Sequence, residues 1–218
     1  MAGHGLRCAL TGGLAIDLQL RAHGQPTERR RLNDIDVVVE SFASIPESLS
    51  RTFLQHHVHP DATDGRTLLQ LVDEERRIRV DVFAAFGRSL ERAHPLNSET
   101  GELDVLSIED LVARTTALVY GRLRRHQAID VKHVTAFRRL SGLGEPAKLA
   151  AAWVDHRQKT PGTLDEASLE TARMLERHPE LVVVEQYASD IVPCERCRRH
   201  GLFRPAAAAR IVEILGYC

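Results

Sequence analysis

The apolar positions of this chain change their period about halfway along. Up to about residue 105, short apolar runs alternate with turns rich in glycine and proline; beyond it, apolar residues recur every three to four positions. In the first half, Leu6 to Leu10 predicts a strand, Thr11-Gly12-Gly13 a turn, and Leu14, Ile16, Leu18 and Leu20 a helix. His23 to Leu32 is polar and reads as an exposed loop, and Asp34 to Val39 reads as a strand. Pro46 to Phe53 suits a helix opened by its proline, and His56, His57 and His59 suit a strand or loop with exposed imidazoles. Thr67 to Val72 and Ile78 to Phe83 predict two more strands, joined through Asp73 to Arg77. Leu103 to Leu106 is a short strand, and Ser107 caps a helix with Glu109 and Asp110 in its first turn. The second half then reads as helices over Ala128 to Leu140, Pro146 to His156, Leu164 to Arg177, Pro179 to about Ala188, and Phe203 to Leu215.

This pattern predicts an α+β protein with a small mixed-sheet α/β domain over residues 1–105. An all-helical domain over 106–218 follows it. The 218 residues, 43% hydrophobic and 27% charged, suffice for one ordinary domain or two small ones. Formal net charge is -1, from 29 basic and 30 acidic residues, so no overall field draws the chain to nucleic acid or membrane. Arginine clusters at 29–31, 122–125 and 196–204 are more often solvated faces than binding patches. No apolar run reaches the length of a membrane span, and the N-terminus lacks a signal-peptide pattern. With four cysteines there is no disulfide framework, and a reduced, cytoplasmic protein is expected.

The chemistry is concentrated in Leu32 to Glu40, L-N-D-I-D-V-V-V-E. On a strand, Asp34 and Asp36 share one face about 7 Å apart. Like charges on one face of an apolar strand call for a cation between them, and oxygen ligands suit a hard divalent ion. Asp81 is a third carboxylate in an apolar strand; its plain alternative is an ion pair with Arg79. Upstream, Gly12-Gly13 allows close backbone approach, and the helix start that follows suits an anion such as phosphate, although a glycine pair alone is more often only a tight turn.

Together these features resemble the polymerase-beta-type nucleotidyltransferase superfamily, and most closely its small bacterial members of the abortive-infection toxin type. The resemblance covers about residues 6 to 140. It rests on Gly12-Gly13-Leu14-Ala15, Asp34-Ile35-Asp36 with its aliphatic tail, and Asp81. It implies an enzyme that moves a nucleoside monophosphate from an NTP to a hydroxyl acceptor: a small molecule, an RNA such as tRNA, or a protein. It implies two Mg²⁺ ions held by Asp34, Asp36 and Asp81, with Asp81 accepting the proton of the attacking hydroxyl. Gly12 and Gly13 would hold the triphosphate, with Thr11 adding a hydroxyl and Arg66 or one of Arg29 to Arg31 neutralising phosphate. A toxin-like protein also implies an antitoxin-like partner.

The chain departs from the family at two places. Thr115 stands where a lysine is usual in the helix after the last strand, and His126-Gln127 replaces a Lys-Asp pair, with Asp130 beyond. Arg122 and Lys132 are the candidates to compensate. These departures motivate a second expectation, a degenerate transferase fold that senses nucleotide or binds a partner.

Cys194-x-x-Cys197, with His200 and Cys218, has the ligands of a structural zinc site that would staple the tail. A third, weaker expectation makes that helical half the interaction surface. The plain alternative is exposed thiols.

Overall fold

The computed structural model describes residues 6–27, 34–40, 54–58, 68–73, 78–98, 101–157, 160 and 162–184. They form a mixed sheet and five helices, the α+β class that the change of period predicts. The chain clusters into two compact units, and each is best understood alone.

The first unit holds β1 (Cys8–Thr11), the start of α1 (Gly12–Ala22), β2 (Asp34–Val39), β3 (Leu54–Val58), β4 (Leu68–Asp73) and β5 (Ile78–Ala84). Its strands run in the order β3-β4-β5-β2-β1. β2 lies parallel to β5 and antiparallel to β1, while β4 is antiparallel to both β3 and β5. The valines decide where β2 goes. Val37, Val38 and Val39 are all buried, so that end of the strand is covered on both faces, whereas Asp34 to Asp36 are half-buried. Leu71, Val80 and Val82 complete the apolar centre beside it.

The second unit holds α1 from Ala15 onward and the chain from Phe86. It contains the hairpin β6 (His94–Ser98) and β7 (Gly101–Val105), then α2 (Ile108–Arg124), α3 (Val131–Leu140), α4 (Pro146–His156) and α5 (Leu164–Arg177). Ser107 accepts a hydrogen bond from the Asp110 backbone N–H and so caps α2, as expected. Thr163 and Glu166 form a full capping box on α5. The core here comprises Val119, Leu123, Ile129, Val134, Phe137 and Leu175. α1 is tied in by Gln19, only 1% exposed, whose side chain donates to the Leu106 carbonyl at 2.7 Å. Asp17 adds an ion pair with Arg139 at 3.1 Å.

Three local expectations change. His94–Ser98 is a strand that the pattern does not predict, because Pro95 and Asn97 fill its exposed positions; its partner β7 satisfies the backbone. The helix expected from Ala128 begins at Val131. Asp130 caps it, accepting from the Lys132 N–H at 2.8 Å, and Ile129–Asp130 form the short strand β8. Pro179–Leu181 is a single 3₁₀ turn, and Val182–Val183 form β9, parallel to β8. A run of β-branched valines prefers that extended pairing to a helix. The expected helices at Pro46 and Phe203 lie outside the described residues.

Candidate active site

The carboxylates that the sequence singles out lie in one neighbourhood of the first unit. In the register of the parallel pair, Asp36 is the direct partner of Asp81. Paired residues of adjacent strands project to the same side, and Asp34 shares that side through its two-residue offset. So three carboxylates occupy one face at the less buried end of β2. Asp81 is 7% exposed; Asp34 and Asp36 are half-buried. The next partner on the other side is Thr11, opposite Asp36 and fully buried. Arg79 is the register partner of Asp34.

Gly12 closes this corner. Its φ is +64°, and a Cβ built on it would run into the Asp36 carboxylate. Any other residue there would be strained twice, by its backbone and by that collision. The start of α1 is therefore set down directly against Asp36. A positive dipole end and a group of carboxylates meet at one point, which fits a metal-bound anion. The donor set, carboxylate oxygen only, fits a hard ion such as Mg²⁺. Among the described residues, no three His, Cys, Asp or Glu side chains are gathered into a ready-made cage for a metal. Gly13 is half-buried. Arg66, Arg29 to Arg31, and the candidate zinc ligands Cys194, Cys197, His200 and Cys218 lie outside the described residues.

The departures from the family pattern lie in the second unit. Thr115 is buried at 8% exposure. Asp130 is engaged as the cap of α3, with the Lys132 ammonium 3.7 Å from its carboxylate.

A second polar cluster, in the second unit, is absent from the sequence reading. Asp110 is fully buried and receives four side-chain hydrogen bonds. Arg92 gives two, at 3.0 and 2.6 Å; Ser107 gives one at 2.7 Å; and His156 Nε2 gives one at 2.9 Å. The same guanidinium reaches Asp155 at 2.7 Å, and Asp155 also accepts the Arg88 backbone N–H at 2.9 Å. Gly87, at φ +49°, passes so close to Asp155 that a Cβ would collide with it. Burial alone would push the Asp110 carboxyl upward, but hydrogen bonds from His156, Arg92 and Ser107 prevail and bring it down to about 2. Burial pushes the His156 imidazole below its ordinary value, against the pull of Asp110. His156 packs against Phe86 with ring centres 5.5 Å apart. In sequence the signal is faint: Asp110 looks like an ordinary first-turn acid, and Arg92, Asp155 and His156 sit at no fixed spacing from it.

No family model matches the sequence. Protein RecA of Chlamydia pneumoniae is 30% identical over 117 residues, which is 54% of this chain and 30% of that protein. The chain thus spans under a third of the length of the curated relative it matches. Among solved structures, an antigenic nucleotidyltransferase-like protein from Paracoccidioides brasiliensis aligns with a TM-score of 0.43 at 16% identity, over 83% of this chain and 84% of that one. JHP933 from Helicobacter pylori aligns with a TM-score of 0.29 at 14% identity, over 81% and 85%. At these values the functional reading rests on the geometry of the site itself.

Proposed function

We propose that the chain is a Mg²⁺-dependent nucleotidyltransferase that moves a nucleoside monophosphate from an NTP to a hydroxyl acceptor. The observation that carries the proposal is the meeting of Asp36, Asp81 and Gly12: two register-paired carboxylates with the glycine start of a helix pressed against one of them. Asp34, Asp36 and Asp81 would hold the magnesium, which supplies charge neutralisation for the triphosphate and for the attacking and leaving oxygens. The backbone of Gly12 and Gly13 at the start of α1 receives phosphate oxygens. Asp81 takes the proton of the acceptor hydroxyl as its oxygen bonds to the α-phosphorus. The bond from that phosphorus to the bridging oxygen breaks, and pyrophosphate leaves.

The test is pyrophosphate release from each NTP with Mg²⁺, offered small-molecule, tRNA and protein acceptors. Release with labelled acceptor supports the transferase. The buried Thr115, in the place of the family's lysine, supports a second reading in which nucleotide is bound and not turned over. Calorimetric binding of an NTP with no pyrophosphate under any acceptor would favour that sensor, and no binding at all would sink both.

A further inference from the structure

Two histidines that the proposed chemistry does not use come together in the second unit. His126 follows the C-terminus of α2, and His178 follows the C-terminus of α5. Their rings stand edge-to-face with centres 5.4 Å apart. Zn–N bonds of about 2.0–2.1 Å at a tetrahedral angle place the centres of two imidazoles on one ion roughly 5 Å apart. The pair is therefore already at chelating separation, with His126 exposed and His178 half-buried.

Two further features prepare the pair for a cation. His178 Nδ1 lies 3.1 Å from the Glu180 carboxylate. A carboxylate only accepts, so Nδ1 carries the hydrogen and the lone pair is on Nε2. That is the arrangement by which a carboxylate orients a ligating histidine. Finally, both histidines sit at negative helix ends, which favour positive charge.

We infer that His126 and His178 form a binding site for a borderline divalent transition ion, zinc or a similar ion. Glu180 acts through His178, and water fills the remaining positions. Imidazole nitrogen selects such ions over Mg²⁺, so this site is chemically separate from the carboxylates of β2 and β5. His126 has φ +51°, so its replacement must tolerate a left-handed backbone, and asparagine does.

The experiment is zinc calorimetry on the full-length, metal-free chain in excess Mg²⁺. It compares wild type with His126→Asn, His178→Ala, Glu180→Gln and a Cys194→Ser/Cys197→Ser variant. Each histidine change removes one zinc-binding event, Glu180→Gln weakens that event about tenfold, and the cysteine variant keeps it. With Co²⁺ the event shows ligand-field bands without a thiolate charge-transfer band. Zinc binding unchanged in both histidine variants overturns the assignment, as does loss of the event in the cysteine variant alone.

Discussion

Asp81 and Asp110 are both buried carboxylates, and the protein treats them in opposite ways. Asp81 has another carboxylate, Asp36, as its register partner. Asp110 collects a guanidinium, an imidazole and a hydroxyl, and is driven down to about 2. Like charges directly opposite on paired strands work against folding. A buried carboxylate surrounded by donors holds its neighbours in place, and removing it strands them. One region sets carboxylates side by side on one face, and the other surrounds a single carboxylate with donors. A gathering of carboxylates on one face is where function is usually found, and a hydrogen-bonded network around one buried carboxylate is where a fold is held together.

The largest effects should separate the two regions by kind. Asp36→Asn is expected to lower NTP turnover by about 10²–10³-fold, the scale of losing one electrostatic contact to a transferring group. It should change the melting temperature little, since asparagine keeps the shape of the side chain. Asp110→Ala should do the reverse. It orphans Arg92 and His156 and is expected to destabilise by about 3–5 kcal/mol in urea unfolding. If Asp36→Asn unfolds the chain while Asp110→Ala is harmless, the comparison is backwards.

Glycine gives a matched pair at the next level. Gly12→Ala and Gly87→Ala each place a methyl group against a carboxylate on a left-handed backbone, Asp36 in one case and Asp155 in the other. Each should cost about 1–3 kcal/mol of strain. In the first region the loss should appear mainly as lost turnover, because the helix start moves away from the carboxylates. In the second it should appear as lost stability, with no separate change in KM.

Acidity tests the second region alone. The Asp110 carboxyl falls from an ordinary 3.8 to about 2, so its contribution is complete above 3.8 and is lost as pH falls toward 2. That contribution is about 2 kcal/mol, at 1.36 kcal/mol per unit. His156 is displaced below its ordinary 6.5, so the unfolded chain takes up protons there first. Urea midpoints should therefore begin to fall below pH 6.5 and fall further below 3.8. His156→Gln should remove the first decline and shrink the second, since the imidazole is the leading donor that holds the Asp110 carboxyl down.

The sequence makes the first region more legible than the second, for a physical reason. Strand alternation puts Asp34 and Asp36 on one face and is read from a local apolar pattern; Asp81, 45 positions from Asp36, joins them through the β2–β5 register, and in the sequence only the resemblance places it there. The helices Pro146–His156 and Leu164–Arg177 are equally local, fixed by a proline at one start and a capping box at the other, and they emerge with the predicted bounds. The Asp110 cluster depends on Arg92, Asp155 and His156, which are 18, 45 and 46 positions away. No period links such residues, and only tertiary packing does. β6 and β9 escape for the same reason, since each is a strand only because a partner is there.

The smallest effect is the most discriminating within the second region. Arg88 forms an ion pair with Glu91 at 2.7 Å, as short as the hydrogen bond from Ser107 to Asp110. Yet both side chains are mostly in water, at 77% and 55% exposure. A pair so exposed contributes little, because solvent screens it and two long side chains are ordered to make it. The contact of Arg88 with Asp155 is different, since it runs through the backbone N–H and survives truncation of the side chain. Arg88→Ala should therefore change stability by less than about 0.5 kcal/mol. Asp155→Ala removes the acceptor shared by that N–H and by Arg92, and should cost about 1–3 kcal/mol. A double-mutant cycle between the two positions should give a coupling near zero. Coupling as large as the Asp155 loss would mean that the charged side chain of Arg88, rather than the buried network, holds this turn.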